Sequence, residues 1–85
     1  MSRWNVAIAD DNERMAEILD HILKQDSDFA VVGIAHNGEE TCRIIKEKEP
    51  DIVLLDIIMP EMDGFEVLAM MSKNKWIERI PVIII

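Results

Sequence analysis

Short apolar runs alternate with amphipathic stretches along the whole chain. The first run, at residues 6–9, stops abruptly at three polar residues, as expected of a buried strand that delivers polar groups at its carboxyl end. The run at 51–56 holds four consecutive branched apolar residues between two aspartates, and such continuity indicates burial on both faces. The pattern predicts four strands, at residues 6–9, 29–35, 51–56 and 81–85.

Amphipathic segments separate the predicted strands. After a plausible N-cap at Asn12, apolar residues recur with the spacing of one helical face. A second helix is predicted over about 39–49, with Cys42 and Ile45 inward and Pro50 ending it, because proline inside a helix removes a hydrogen bond and clashes with the preceding turn. The apolar face of the first helix consists of Met15, Ile18, Leu19, Ile22 and Leu23.

The third connection is predicted to contain a loop followed by a helix. Residues 57–62 have no periodic apolar pattern, and Asp63 is a good N-cap for the segment that follows. Apolar residues at helical spacing then continue to about 73–74. These are Phe65, Val67, Leu68 and Met71.

Strands that alternate with helices predict a parallel sheet with right-handed crossovers, a doubly wound α/β fold. In such sheets the functional crevice lies beyond the carboxyl ends of the strands. Asp10 and Asp11 follow the first predicted strand and Asp56 ends the third. If these two strands are neighbours, as in the order 2-1-3-4-5 typical of this class, the three carboxylates converge.

Composition narrows the possible functions. The 85 residues allow one domain at most, and 17 acidic against 9 basic side chains give a net charge of -8, which argues against a nucleic-acid surface on these residues. The single cysteine, Cys42, excludes an internal disulfide and suits a reducing compartment. His21 and His36 lack a partner at metal-ligand spacing, and no apolar run approaches membrane length. We expect a cytoplasmic protein.

Three converging carboxylates favour a bound cation, because like charges at short range oppose one another's ionisation. Oxygen ligands favour a hard ion, Mg²⁺ before Mn²⁺ or Ca²⁺, and Mg²⁺ commonly completes its shell with phosphate oxygens. One carboxylate could then attack phosphorus as a nucleophile. Structural roles remain open for each acid separately: Asp10 and Asp11 as charges at a helix N-terminus, and Asp56 as a turn residue.

Two segments resemble a known family, the response regulator receiver domains of two-component and phosphorelay signalling, which have a flavodoxin-like fold. The first is Asp10-Asp11-Asn12, and the second is residues 56–64, in which Asp56 is followed by Met59-Pro60 and Asp63-Gly64. The stretches at 32–35 and 37–40 are also similar to the family, so the resemblance covers essentially all 85 residues. Within the family, the chain looks closest to the receiver of the master sporulation regulator of endospore-forming bacteria.

The resemblance implies a role for each matching residue. Asp56 would be the phosphoacceptor, receiving a phosphoryl group from a phosphohistidine on a histidine kinase or histidine phosphotransferase. The domain would be a signalling switch rather than an enzyme, at most phosphorylating itself from small donors, and would control an output domain that often binds DNA. Asp10, Asp11, Asp56 and the backbone carbonyl of Ile58 would hold Mg²⁺, while Pro60 and Gly64 would shape the loop.

The sequence departs from the family pattern at its end. It stops at Ile85, inside the fourth predicted strand, whereas receivers carry a Ser or Thr at the end of that strand and a Lys at the end of a fifth. We therefore expect the N-terminal part of a single receiver domain, with the last strand and two helices missing. The fourth strand, with Ile83, Ile84 and Ile85, would then be an exposed apolar edge able to pair with a second copy, as a homodimer or a strand-exchanged oligomer.

Two other functions remain as alternatives. A Mg²⁺-dependent phosphohydrolase of the haloacid-dehalogenase type would also use an aspartyl-phosphate, but it normally carries a second Asp two residues after the nucleophile, where this chain has Ile58. The other alternative is an interaction fragment that binds metal and self-associates but cannot be phosphorylated or switch.

Overall fold

A computed structural model describes residues 3–56 and 64–85 as one parallel sheet with helices on both faces. Within these ranges, none of the helices is long and apolar enough to cross a membrane. The predicted loop at 57–62 and the N-cap at Asp63 lie outside the described residues. In chain order the elements are β1 (Trp4–Ala9), α1 (Glu13–Lys24), β2 (Phe29–Ala35), α2 (Gly38–Lys48), β3 (Ile52–Leu55), α3 (Gly64–Lys73), a short 3-10 helix (Trp76–Glu78) and β4 (Val82–Ile84).

The sheet has the strand order β2-β1-β3-β4, and every neighbouring pair is parallel. The doubly wound α/β class and the relative order of its first four strands are therefore confirmed. Backbone pairing continues one residue past the strands: the Asp10 N–H donates to the Ala35 carbonyl at 2.9 Å and the Asp56 N–H donates to the Ala9 carbonyl at 2.8 Å. The carboxyl ends of β2, β1 and β3 thus lie side by side.

Side chains from opposite faces of β1 enter two separate cores, because successive residues of a strand point to opposite sides. On one face, Ala7 and Ala9 join the larger core beneath α2 and α3. On the other face, Val6 and Ile8 pack beneath α1. The larger core also contains Ala35, Ile45, Val53, Leu55, Val67, Met71 and Ile80.

The predicted apolar face of α1 is only partly buried. Leu19 and Leu23 pack with buried Ala16 over the sheet, as expected. Met15, Ile18 and Ile22 are instead exposed by 44%, 47% and 58%, although they share the same helical spacing. The apolar stripe is wider than the contact that α1 makes with β1 and β2, so its outer half faces away from the sheet.

The strands β1, β3 and β4 begin or end at residues other than the predicted ones. Hydrogen bonds set these ends, and the apolar pattern of the sequence does not show them. β1 begins at Trp4, two residues early, because the Trp4 N–H donates to the Asp28 carbonyl at 2.7 Å. Asp51 lies before β3 rather than in it, and its carboxylate accepts the Asn5 N–H at 2.8 Å. Pro81 and Ile85 likewise flank β4.

The N-cap of α1 is the predicted residue. The N-cap of α2 was not predicted, and it moves the start of that helix. The Asn12 side chain accepts the Met15 N–H at 3.1 Å, which confirms the predicted N-cap. α2 begins one residue early because Asn37 caps it, accepting the Glu40 N–H at 2.8 Å. It ends at Lys48, and Glu49 takes the left-handed conformation with a φ of 45° before Pro50. Ile45 is buried as predicted, whereas Cys42 is only half-buried.

The larger core allows a direct test of packing. We expect Ile45→Val to lower the free energy of unfolding by about 0.5–1.5 kcal/mol, because it removes a methylene group from a fully buried site. The same change at exposed Ile22 serves as the matched control and should stay within about 0.5 kcal/mol. Urea unfolding followed by circular dichroism measures both, and equal losses would contradict this assignment of the core.

Candidate functional site

Three aspartates meet at the carboxyl edge of the sheet. Asp10 follows β1 and is buried, Asp11 is exposed, and Asp56 follows β3 and is half-buried. One carboxylate oxygen from each lies within 4.8 Å of the others. The predicted convergence is therefore present, and it arises because β1 and β3 are direct neighbours in parallel register from Val6↔Ile52 to Ala9↔Leu55.

Asp10 is held more firmly than an ordinary acidic side chain. Its Oδ1 accepts the Asn12 N–H at 2.9 Å, its own N–H donates to Ala35, and its carbonyl oxygen lies 3.2 Å from Nδ1 of His36. The residue is only 4% exposed. Because burying an ionised carboxylate is costly without hydrogen bonds or a counter-charge, this fixed geometry indicates an acid whose position is part of a site.

The arrangement fits a small, hard divalent ion. Mg²⁺ bonds oxygen at about 2.1 Å in an octahedron, so ligands on opposite sides of the ion are about 4.2 Å apart. Three oxygens within 4.8 Å of one another need only small side-chain rotations to reach one ion. The cluster consists of carboxylates alone, a donor set that favours Mg²⁺, Mn²⁺ or Ca²⁺ over the softer transition metals. If each of the three acids had only a separate structural role, nothing would offset the repulsion between them.

The carboxylates open into a cavity of about 530 Å³ with an apolar rim. Met15 and Leu19 of α1 border it on one side and Ile85 on another. A somewhat larger cavity, about 660 Å³, lies at the opposite edge, near the start of β1 and β2 and lined partly by Trp4 and Phe29. We assign the site to the smaller cavity, because it alone of these two contains the converging carboxylates.

Of the loop residues that the family resemblance implies, the structure describes Gly64 alone. Ile58 and Pro60 lie outside the described residues. Gly64 is the first residue of α3, and its role in shaping the loop before the helix stays a prediction. This is where the third helix is expected to begin if Asp63 is its N-cap.

Two features of the site were not anticipated from sequence. Asn12 was predicted only as a helix cap, but its backbone N–H also fixes the Asp10 carboxylate. The sequence shows only that His36 lacks a partner at metal-ligand spacing, yet its ring contacts the Asp10 backbone. The strand order points to the contact between His36 and Asp10, because a residue that directly follows the second strand must lie beside the end of the first.

Cys42 takes no part in the acidic cluster. Burial raises the pKa of its thiol, so less of the nucleophilic thiolate forms near neutral pH. This position on α2 is consistent with a packing role.

Comparison with known proteins identifies the fold and the family. The sequence profile of the response regulator receiver domain matches residues 6–85. The chain is similar to the response regulator domain of Thermotoga maritima CheB, with a TM-score of 0.88 and 32% identity over 96% of this chain and 59% of that chain. These are parallel α/β receiver folds, and the chain belongs to the response regulator receiver domain family.

Two further solved structures support the assignment. A DNA-binding response regulator of the LuxR family from Staphylococcus aureus matches with a TM-score of 0.85 and 35% identity, over 94% of this chain and 65% of that chain. The CheX–CheY–BeF3–Mg²⁺ complex from Borrelia burgdorferi matches with a TM-score of 0.85 and 34% identity, over 98% and 61%. The chain spans less than two thirds of the length of each of these structures.

Family membership indicates what kind of ion and partner the acidic cluster suits. Receiver domains generally bind Mg²⁺ at an acidic pocket, and they interact with histidine kinases and phosphotransfer partners. The three aspartates stand at the carboxyl edge of a receiver fold, close enough together to hold such an ion.

Metal binding at this cluster can be measured directly. We expect Asp11→Asn to weaken Mg²⁺ binding at least about tenfold, since even the loss of an outer-shell partner of a metal ligand commonly costs 10–100-fold. Isothermal titration calorimetry measures the affinity. Asp28→Asn makes the same change of charge at an exposed residue ahead of β2 and should leave the affinity unchanged. Equal weakening in both variants would indicate only a general loss of negative charge.

Proposed function

We propose that this chain is a phosphoacceptor module in two-component or phosphorelay signalling. It accepts a phosphoryl group from a phosphohistidine on a histidine kinase or histidine phosphotransferase, in a reaction that requires Mg²⁺. The observation that carries the proposal is the convergence of Asp10, Asp11 and Asp56 within 4.8 Å. A receiver fold that presents three carboxylates at its crevice supports phosphoryl transfer better than any other chemistry.

Asp56 is the best candidate for the acceptor. Asp10 is buried, and Asp11 is exposed at the outer side of the cluster. Asp56 is half-buried, lines the cavity and is fixed through its N–H to β1. Its carboxylate can therefore meet a donor that enters the cavity while its backbone stays in place.

The proposed transfer is a displacement at phosphorus. An oxygen of Asp56 attacks the phosphorus atom of the phosphohistidine, a P–O bond forms as the P–N bond breaks, and the imidazole nitrogen leaves with the electron pair. Asp10, Asp11, Asp56 and the carbonyl of Ile58 would hold the Mg²⁺ ion. When bound, Mg²⁺ neutralises charge on the phosphoryl oxygens. Asp10 and Asp11 keep the cluster anionic around it.

We favour a signalling role over the role of a phosphohydrolase. A phosphohydrolase would need a general acid beside the nucleophile, and Ile58 stands where the haloacid-dehalogenase pattern requires an aspartate. We therefore propose that the domain is not an enzyme. It accepts the phosphoryl group and holds it as a signal.

The wider setting is also a proposal. We propose that these residues form the N-terminal part of one receiver domain in a cytoplasmic transcription regulator, with DNA contacted by a separate output domain. The charge of -8 supports that division, and so does the similarity to a DNA-binding response regulator from S. aureus. The resemblance of the strand-end motifs supports a role in sporulation.

The exposed side of β4 supports a second proposal, that the 85-residue chain self-associates. Ile83 and Ile84 are each 50% exposed, Ile85 is 47% exposed, and β4 pairs only with β3 in the sheet that the structure describes. An apolar strand with one unpaired edge recruits another chain. A second copy would supply the matching edge, as a homodimer or by strand exchange.

Phosphorylation can be tested by intact mass spectrometry after incubation with Mg²⁺ and acetyl phosphate. We expect one added phosphoryl group, dependent on Mg²⁺ and lost in Asp56→Asn. Asp51→Asn is the matched control, because it makes the same change at the other end of β3, and it should still be phosphorylated. No adduct, with Mg²⁺ binding retained, would favour the alternative of a metal-binding fragment that cannot switch.

Self-association can be tested by sedimentation velocity over a range of protein concentrations. We expect a concentration-dependent dimer, which Ile84→Lys should shift toward monomer because a charge on an edge strand opposes pairing. Phe65→Lys introduces the same residue at a site on α3 that is 67% exposed and should leave the dimer intact. A monomer at all concentrations would overturn the proposal.

A further inference from the structure

We propose that His36 is a positioning residue for the metal-binding pair Asp10 and Asp11. Its ring holds the carbonyl of Asp10 and so fixes the peptide group that joins the two acids. The inference rests on the proposed Mg²⁺ role of this pair. Neither the position of His36 in the sequence nor the membership of the acidic cluster indicates this function.

The contact indicates which ring nitrogen donates. Nδ1 of His36 lies 3.2 Å from the carbonyl oxygen of Asp10. A carbonyl oxygen can only accept a hydrogen bond, so Nδ1 carries the proton. The neutral ring is therefore the Nδ1–H tautomer, which is the less common choice in water and has a distinct spectroscopic signature.

The carbonyl that His36 holds belongs to the peptide group between the two acids. A peptide group is planar, so fixing the direction of its C=O also fixes its N–H and the path of the backbone into Asp11. Within residues 3–56 and 64–85, no hydrogen bond restrains the exposed Asp11 carboxylate. Its placement beside Asp10 therefore depends on the backbone that His36 restrains.

His36 is itself well anchored. Its backbone N–H donates to Oε1 of Glu40 at 2.8 Å, and the Glu40 N–H donates to the side chain of Asn37 at 2.8 Å. These bonds resemble a capping box, in which the side chain at N3 reaches back to the start of its helix. The amino end of α2 thus acts as a fixed support for the ring, and through it for the two acids.

The test compares two substitutions of His36 by calorimetric titration of the full chain with Mg²⁺. His36→Leu removes the donor, and we expect about 3- to 10-fold weaker binding, the effect of losing one ordinary hydrogen bond. His36→Asn places an N–H donor near the position of Nδ1 and should restore binding to within about twofold of the unaltered protein. His21→Leu, at the exposed histidine of α1, is the matched control and should bind normally.

Two measurements on the metal-free protein separate positioning from stability. Long-range ¹⁵N NMR should show His36 as the Nδ1–H tautomer, a result that depends on no variant folding. Urea unfolding reports whether His36→Leu merely destabilises the domain. The Nε2–H tautomer, unchanged Mg²⁺ affinity in His36→Leu, or equally weak binding in His36→Asn would each overturn the inference.

The same titration separates this inference from the proposed function. If the unaltered chain binds Mg²⁺ and Asp11→Asn does not, while His36→Leu binds normally, only the role of His36 fails. If the unaltered chain binds no Mg²⁺, the proposed function fails and the positioning role fails with it.

Discussion

Parallel pairing of β1 with both β2 and β3 is the constraint on which the site depends. The pairing extends one residue past each strand, through the N–H groups of Asp10 and Asp56. It brings three carboxyl groups to one edge of the sheet, with one oxygen of each within 4.8 Å of the others. The sheet, stabilised by burial of apolar residues on both faces, supplies the favourable free energy that holds these acids together.

Asp10 and Asp11 lie in different surroundings. Asp10 is buried and restrained by backbone hydrogen bonds, whereas Asp11 is exposed and follows the path of the chain. In a metal-binding pair, Asp10 would therefore be the buried, restrained ligand and Asp11 the ligand that solvent reaches.

The alternation of apolar and polar residues predicts the fold class, and the strand order typical of that class then predicts that Asp10, Asp11 and Asp56 meet. It could not predict which half of the α1 stripe is buried, because helical spacing shows that Ile18 and Leu19 share a face without showing how wide the contact is. The contact of His36 was missed for another reason. It is a side chain to backbone hydrogen bond across two strands, and such bonds leave no periodic trace in sequence.

The exposed isoleucines of α1 and β4 also affect how the stability of the chain depends on temperature. The heat capacity of unfolding reflects apolar surface that becomes hydrated only when the chain unfolds. Ile18, Ile22, Ile83 and Ile84 are already about half hydrated in the folded chain, so they contribute less to it than buried residues do. The stability curve of the isolated chain is therefore flatter than that of a domain of equal length with a fully covered sheet, and covering this surface would make the curve steeper.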